Sequence, residues 1–231
     1  MKVALYGDIH GYVPGTELLV IDLFRRLVAE VECDLALQVG DMCLYRPLDR
    51  PVYMIYGNND SPRSLADIEA GRRDVPNLHN LKTGEVLTVQ AGEERIRLAG
   101  LNGGFDPSDY AGQSDPFMPP DLIANFSRAD VEKCLGLRDI DIMLVHGTPS
   151  GLGFGREPDH AVPALREVMD AVRPRYLFCG HAHFYREVEH EGTRVVSLAT
   201  VDTEYYTLDT QTGDLARFPV TKEDLRARGW I

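Results

Sequence analysis

Apolar residues in this chain recur in two patterns. Short continuous runs at residues 2–6 (KVALY), 35–39 (LALQV), 52–56 (VYMIY), 140–145 and 176–179 are bounded by glycine or polar residues and read as strands. Between them, residues 17–29 place Leu18, Leu19, Ile21, Leu23, Phe24, Leu27 and Val28 on one stripe, the period of a helix. Shorter helices are predicted at 64–70, with Ser61 or Ser64 as cap, at 127–135 with Ser127 as N-cap, and at 161–172, stopped before Pro174. Residues 86–89 and 96–99 read as a hairpin around Gly92-Glu93. The tail segments 186–190, 194–198, 205–208 and 215–220 read as antiparallel hairpins, and 221–228 as a last helix.

Strand, loop and helix thus alternate, which predicts an α/β fold. No internal repeat, low-complexity tract or linker divides the chain, and 231 residues suit a single domain spanning 1–231. Residues 102–126 are rich in glycine and proline and lack periodicity. A segment of that length is a lid, a specificity loop or an inert surface loop.

Composition narrows the classes. Apolar residues make up 44%, a globular value, and the formal charge of −12 disfavours a nucleic-acid partner. Two bound divalent cations would reverse the sign of the field locally. Val3 to Tyr6 is interrupted by Asp8 and His10 before it reaches signal-peptide or membrane length, and no run approaches about 18 apolar residues. Cys33, Cys43, Cys134 and Cys179 form no C-x-x-C pair and lie in or beside apolar segments, as buried free thiols in a reducing compartment would. A cytoplasmic protein with no membrane contact is expected.

The chemistry gathers at strand ends. Five apolar runs finish in Asp8, Asp41, Asn58, His146 and His181. Side chains there converge on one rim if the strands lie parallel, where α/β folds bind ligands. In Asp8-Ile9-His10 and His181-Ala182-His183 two donors sit two residues apart and leave the chain on the same side. Carboxylate, amide and imidazole donors in this mixture suit a pair of first-row divalent cations.

The ordered set D-I-H (8–10), G-D (40–41), G-N-N-D (57–60), H-G (146–147) and G-H-A-H (180–183) resembles the calcineurin-like metallophosphoesterase superfamily. The resemblance implies a four-layer αββα sandwich, two mixed β-sheets flanked by helices. It implies that Asp8, His10 and His183 hold one metal, that Asn58, His146 and His181 hold a second, and that Asp41 bridges them. Manganese is the family expectation, and iron, zinc or nickel suit the same donors. The ions would lower the pKa of water, orient a small-molecule phosphate ester for in-line attack and neutralise developing charge.

One block departs from the pattern. The family carries G-N-H-[DE], whose histidine protonates the leaving oxygen and whose acidic residue orients that histidine. Here Asn59 and Asp60 occupy those positions. An amide cannot act as a general acid at neutral pH, though it can donate a hydrogen bond to a phosphoryl oxygen. Asn59 and Asp60 therefore stand as catalytic candidates, Asn59 also as a substrate contact, and phosphodiesters and activated esters rank above unactivated monoesters. His160, following the His146 loop, is weighed as a replacement acid, and Arg156, in G-L-G-F-G-R, as a substrate contact on a rim loop. Arg63, Arg72 and Arg73 read as a solvated helix face, and His79 and His190 as surface residues.

The run from Pro76 through I-R-L-A-G-L-N-G-G-F (96–105) to 139–147 looks like the arrangement in lariat-debranching-type members. It supplies no ligand before His146, so it adds no claim on RNA. Two competitors remain: a catalytically weak or inactive interaction scaffold, favoured by Asn59 alone, and a nucleic-acid-processing phosphodiesterase.

Overall fold

The computed structural model describes residues 1–154 and 161–231. In chain order the first elements are β1 (Lys2–Tyr6), α1 (Val20–Glu30), β2 (Leu35–Gln38), β3 (Val52–Met54), α2 (Pro62–Glu69), β4 (Leu78–Asn80), β5 (Val86–Ala91) and β6 (Glu94–Leu101). There follow α3 (Pro107–Tyr110), α4 (Arg128–Leu135), β7 (Ile142–Val145), β8 (Thr148–Pro149), β9 (Ala161–Val162), α5 (Pro163–Val172) and β10 (Tyr176–Cys179). The tail contains β11 (Arg186–His190), β12 (Thr193–Ser197), β13 (Glu204–Asp209), β14 (Leu215–Pro219) and α6 (Lys222–Ala227).

Among the described residues these strands form two six-stranded mixed sheets and a two-stranded ladder of β8 and β9. The first sheet has the order β14-β13-β1-β2-β3-β4, with β1 to β4 parallel. The second has the order β11-β12-β10-β7-β6-β5, with β6, β7, β10 and β12 parallel and the two edge strands antiparallel. Each sheet therefore aims at least four strand ends the same way.

Alternation along the strands builds the layers, because successive side chains point to opposite faces. Val3, Leu5, Leu35 and Leu37 of the first sheet meet Ile142, Leu144, Phe178 and Val196 of the second in the inter-sheet core. Ala4, Tyr6 and Ala36 face outward onto α1, whose Val20, Phe24 and Leu27 cover them, together with Leu225 of α6. Met143, Val145 and Leu177 pack outward against Leu165, Val168 and Met169 of α5 and Val131 of α4. The result is the expected αββα sandwich, and both faces of the central strands are buried, which explains their unbroken apolar runs.

Some boundaries moved. Residues 17–19 are not helical: Val13 donates to the Leu18 carbonyl and Tyr12 bridges to Leu19, so α1 begins at Val20. The helix expected at 161–172 begins at Pro163, because a proline pushes the residue before it out of helical geometry. Ala161 and Val162 pair with β8 instead. Strand β4 was not predicted; three residues with His79 exposed carry too little periodicity to be seen. The tail does form two hairpins, but β11–β12 joins the second sheet and β13–β14 the first. No helix of the described residues is long and apolar enough to cross a membrane. All four cysteines are free, Cys134 and Cys179 buried and Cys33 and Cys43 half-buried.

Candidate metal centre

The turns that follow β1, β2, β3, β7 and β10 lie together at one rim of the sandwich. Two groups of donors stand there. Asp8, His10 and His183 bring one ligand atom each within 4.8 Å of one another, and so do Asp41, His146 and His181. In the first group His183 Nε2 lies 2.8 Å from Asp8 Oδ2 and 3.3 Å from His10 Nε2. In the second His146 Nε2 lies 3.3 Å from Asp41 Oδ2 and 3.1 Å from Asn58 Oδ1. The His181 N–H donates to both oxygens of Asp8, at 3.2 and 3.3 Å, so the groups adjoin. All seven residues singled out from the sequence thus meet in one place.

The backbone is bent to do this. Asp41, His181 and His183 have φ of 58°, 63° and 59°, in the left-handed region that non-glycine residues avoid. Such positions cost on the order of 1–3 kcal/mol each and persist only where the surroundings enforce them. At the Asp41 turn two buried polar residues do the enforcing. Asp60 accepts hydrogen bonds from the N–H groups of Asp41 and Cys43, both at 2.8 Å, from Gly57 N–H at 2.9 Å and from the Tyr45 hydroxyl at 2.9 Å. Gln38 accepts from Gly40 N–H at 3.0 Å and donates to the Gly7 carbonyl at 3.2 Å, pinning the β1 and β2 turns together. The single polar side chain in LALQV was the sequence signal for Gln38, and it went unread.

Electrostatics match the geometry. Burial alone would lower the pKa of the His146 imidazolium, but the Asp41 hydrogen bond and the charges of Asp8 and Asp41 overcome it and raise the value to about 9. Burial alone would raise the Asp41 carboxyl; hydrogen bonds from His146 and Asn59 hold it well below the usual range instead. His183 is raised chiefly by its bond to Asp8. Cys43 is pushed up to about 12 by burial and three nearby carboxylates, so its thiol is no thiolate donor. His146 Nδ1 donates to the Val39 carbonyl at 2.9 Å, which fixes that proton in place and makes Nε2, turned toward Asp41, the nitrogen whose proton a metal would displace.

The donor set fits a pair of divalent cations. Carboxylate oxygens, an amide oxygen and imidazole nitrogens converge without a competing lysine or arginine among these contacts. The glycines beside them leave no room to spare. A Cβ on Gly57 would lie 2.3 Å from Asp41 Oδ1 and 2.6 Å from the His146 ring, and one on Gly180 would lie 2.3 Å from Asp8 Oδ1.

The remaining candidates divide. Asn59 donates its backbone N–H to Asp41 Oδ1 at 2.9 Å and its side-chain amide to Asp41 Oδ2 at 2.7 Å, so it brackets that carboxylate. Asp60 is committed to four donors of the β2 and β3 turns. Arg156 and His160 lie outside the described residues. Arg63 is forked onto Asp121 at 2.6 and 2.8 Å, Arg72 pairs with Asp67, and Arg73 lies over Tyr45, so this trio faces its own neighbours. His79 is exposed against Tyr53, and half-buried His190 contacts Arg166. A cavity of about 560 Å³ opens over His146, His181 and Asn58, walled on one side by Phe105 and Asn125 of the 102–126 segment.

The domain model described as the calcineurin-like phosphoesterase superfamily domain matches residues 1–204. The chain belongs to that superfamily. No curated protein matches it significantly. Among solved structures, this superfamily member is similar to TT1561 of Thermus thermophilus, with 14% identity, a TM-score of 0.62, and coverage of 95% of this chain and 99% of that one. It is similar to a novel archaeal phosphodiesterase, with 14% identity, a TM-score of 0.50, and the same coverage of 95% and 99%. It is also similar to GAP50, the anchor in the inner membrane complex of Plasmodium, with 8% identity, a TM-score of 0.52, and coverage of 96% and 89%. These likenesses establish the fold, which in this series serves both an enzyme and an anchor, so function has to be argued from the site.

Proposed function

We propose that this superfamily member is a two-metal phosphoesterase acting on small phosphate esters, with phosphodiesters and activated esters preferred. Asp8, His10 and His183 hold one divalent ion, Asn58, His146 and His181 the other, and Asp41 serves both, with manganese as the expected metal. The observation that carries this reading is the meeting of two three-donor groups, drawn from strand ends far apart in the chain and joined through the His181 N–H on Asp8, with a cavity opening over His146, His181 and Asn58. When bound, such ions activate water, orient the ester and neutralise charge at phosphorus.

The chain's own residues supply the rest. The Val39 carbonyl holds His146 in the ligating tautomer. Asp60 and Gln38 hold the turns that present Asp8 and Asp41. Asn59 brackets Asp41 and offers an N–H donor, but it cannot give a proton to a departing alkoxide. General acid catalysis contributes typically about 10²–10⁴-fold, so esters whose alcohols leave unaided are favoured. His160 is proposed as the replacement acid and Arg156 as a substrate contact.

The test is turnover by the manganese-loaded protein of bis(p-nitrophenyl) phosphate and of O-phosphoserine. The diester is expected to be hydrolysed faster, and chelation is expected to abolish both rates. Preference for phosphoserine would overturn the diester assignment. Absence of turnover on any ester by a fully loaded protein would leave the scaffold reading.

A further inference from the structure

A second recess opens beside Asn59. It has a volume of about 290 Å³ and shares Asn58 and Asn125 with the cavity over the metal centre. Its far wall comes from the 102–126 segment: Met118 and Leu122, 45% and 40% exposed, supply an apolar surface, and Asp109 and Asp115 supply carboxylates. Asp109 is held by the Asn125 amide at 2.7 Å and Asp115 accepts the Phe117 N–H at 2.9 Å. Neither forms an ion pair among the described residues. Arg63, on α2, is turned onto Asp121, and among the described residues no basic side chain lines the recess.

Resting on the phosphoesterase reading above, we infer that this recess is the leaving-group subsite, and that it takes a small alcohol with an apolar body and no negative charge. Three features lead there. The recess begins at Asn59, whose backbone N–H and side-chain amide sit on Asp41, so it opens directly beside the proposed metal pair. Its size lies near the lower end of the roughly 300–1,000 Å³ typical of small-ligand pockets, which suits a compact alcohol and not a polymer. Its apolar wall offers burial to a hydrocarbon body, while two carboxylates without counter-ions repel an anion. Hydrolysis adds the oxygen of water to phosphorus and breaks the bond to this alcohol, which departs carrying a proton. A second phosphate on the leaving side, as in a nucleic acid or a polyphosphate, would face Asp109 and Asp115 with no basic side chain of the described residues lining the recess to offset them.

Three methyl phosphodiesters test this, their second alcohol being choline, its uncharged isostere 3,3-dimethylbutanol, or anionic 4-hydroxybutanoate. Calorimetric binding to the manganese-loaded protein and the rate of alcohol release are measured for each, with bis(p-nitrophenyl) phosphate run alongside. The cationic and neutral esters are expected to bind at least about tenfold tighter than the anionic one, since like-charge juxtaposition is strongly penalised. That gap is expected to narrow in Asp115→Asn and in Asp109→Asn; the first variant keeps the test valid if loss of the Asn125 contact unfolds the second. An anionic ester that binds equally well, a gap unchanged in both variants, or no binding of any ester would overturn the assignment. If the binding order holds while bis(p-nitrophenyl) phosphate is not turned over, the catalytic reading fails and with it the leaving-group role, and the recess stands only as a charge-selective binding site. If that diester is turned over and the order is absent, only the subsite fails.

Discussion

Substituting Gly57→Ala asks whether the metal centre depends on the close approach of Asp41 and His146. Gly57 has no left-handed φ, so alanine is tolerated by the backbone and the effect is steric alone. The new Cβ would lie 2.3 Å from Asp41 Oδ1 and 2.6 and 2.7 Å from His146 Cε1 and Nδ1. Non-bonded carbons and oxygens rest at about 3.5 Å, so both side chains must yield by about 1 Å. Overpacking of this kind costs about 1–3 kcal/mol. At about 2–4 °C per kcal/mol for a chain of this size, the metal-free protein is expected to lose roughly 2–12 °C in Tm. A displacement of about 1 Å at reacting groups can cost about 10²-fold in rate. The assay pairs thermal unfolding with manganese titration and turnover of bis(p-nitrophenyl) phosphate. Gly136→Ala is the control: its Cβ meets nothing within 4 Å at an ordinary φ of −86°, and unchanged or slightly raised stability is expected. Wild-type metal affinity and turnover in a folded Gly57→Ala protein would refute the proposed roles of Asp41 and His146.

Three further outcomes are expected. Asn59→His restores a titratable donor, so the ratio of monoester to diester turnover rises, by at most about 10²–10⁴-fold, in a side-by-side rate comparison; an unchanged ratio would show that position 59 does not reach the leaving oxygen. Asp60→Ala orphans three backbone N–H groups and the Tyr45 hydroxyl, each unsatisfied donor costing about 1–3 kcal/mol, so Tm and metal content fall together. Lost turnover with Tm and metal content intact would instead mark Asp60 as acting directly on substrate. Imidazole must be neutral to ligate, and His146 keeps its proton up to about 9 in the metal-free chain. Apparent manganese affinity is therefore expected to rise by about tenfold per pH unit between 7 and 9 and then level off; a flat profile across that window would exclude His146 as the proton-releasing ligand.

Much of this molecule is written locally. The runs KVALY, LALQV and VYMIY are strands because their apolar residues have two buried faces to fill, and that requirement is visible without coordinates. Ser127 was identifiable as a cap because a helix start leaves N–H groups that a nearby hydroxyl can accept, and with Asp130 it forms a reciprocal capping box. The start of α1 was less legible, since Leu18 and Leu19 continue the helical stripe but their backbones are claimed by Tyr12 and Val13. Likewise β4 exists only because β3 offers it a partner.

The sequence by itself determined which residues are candidates, since five strand-end blocks in order mark the candidate donors and Asn59 stands where the resembled pattern has a histidine. Only the tertiary structure decided how they stand together. It brought Asp8 beside His181, turned His146 onto the Val39 carbonyl, bent Asp41, His181 and His183 into left-handed backbone, and set the Asn59 amide against Asp41. The reason is one of range: strand and helix signals arise between near neighbours in the chain, whereas a charge, a tautomer or a strained turn answers to groups that folding brings within a few ångströms from far along it.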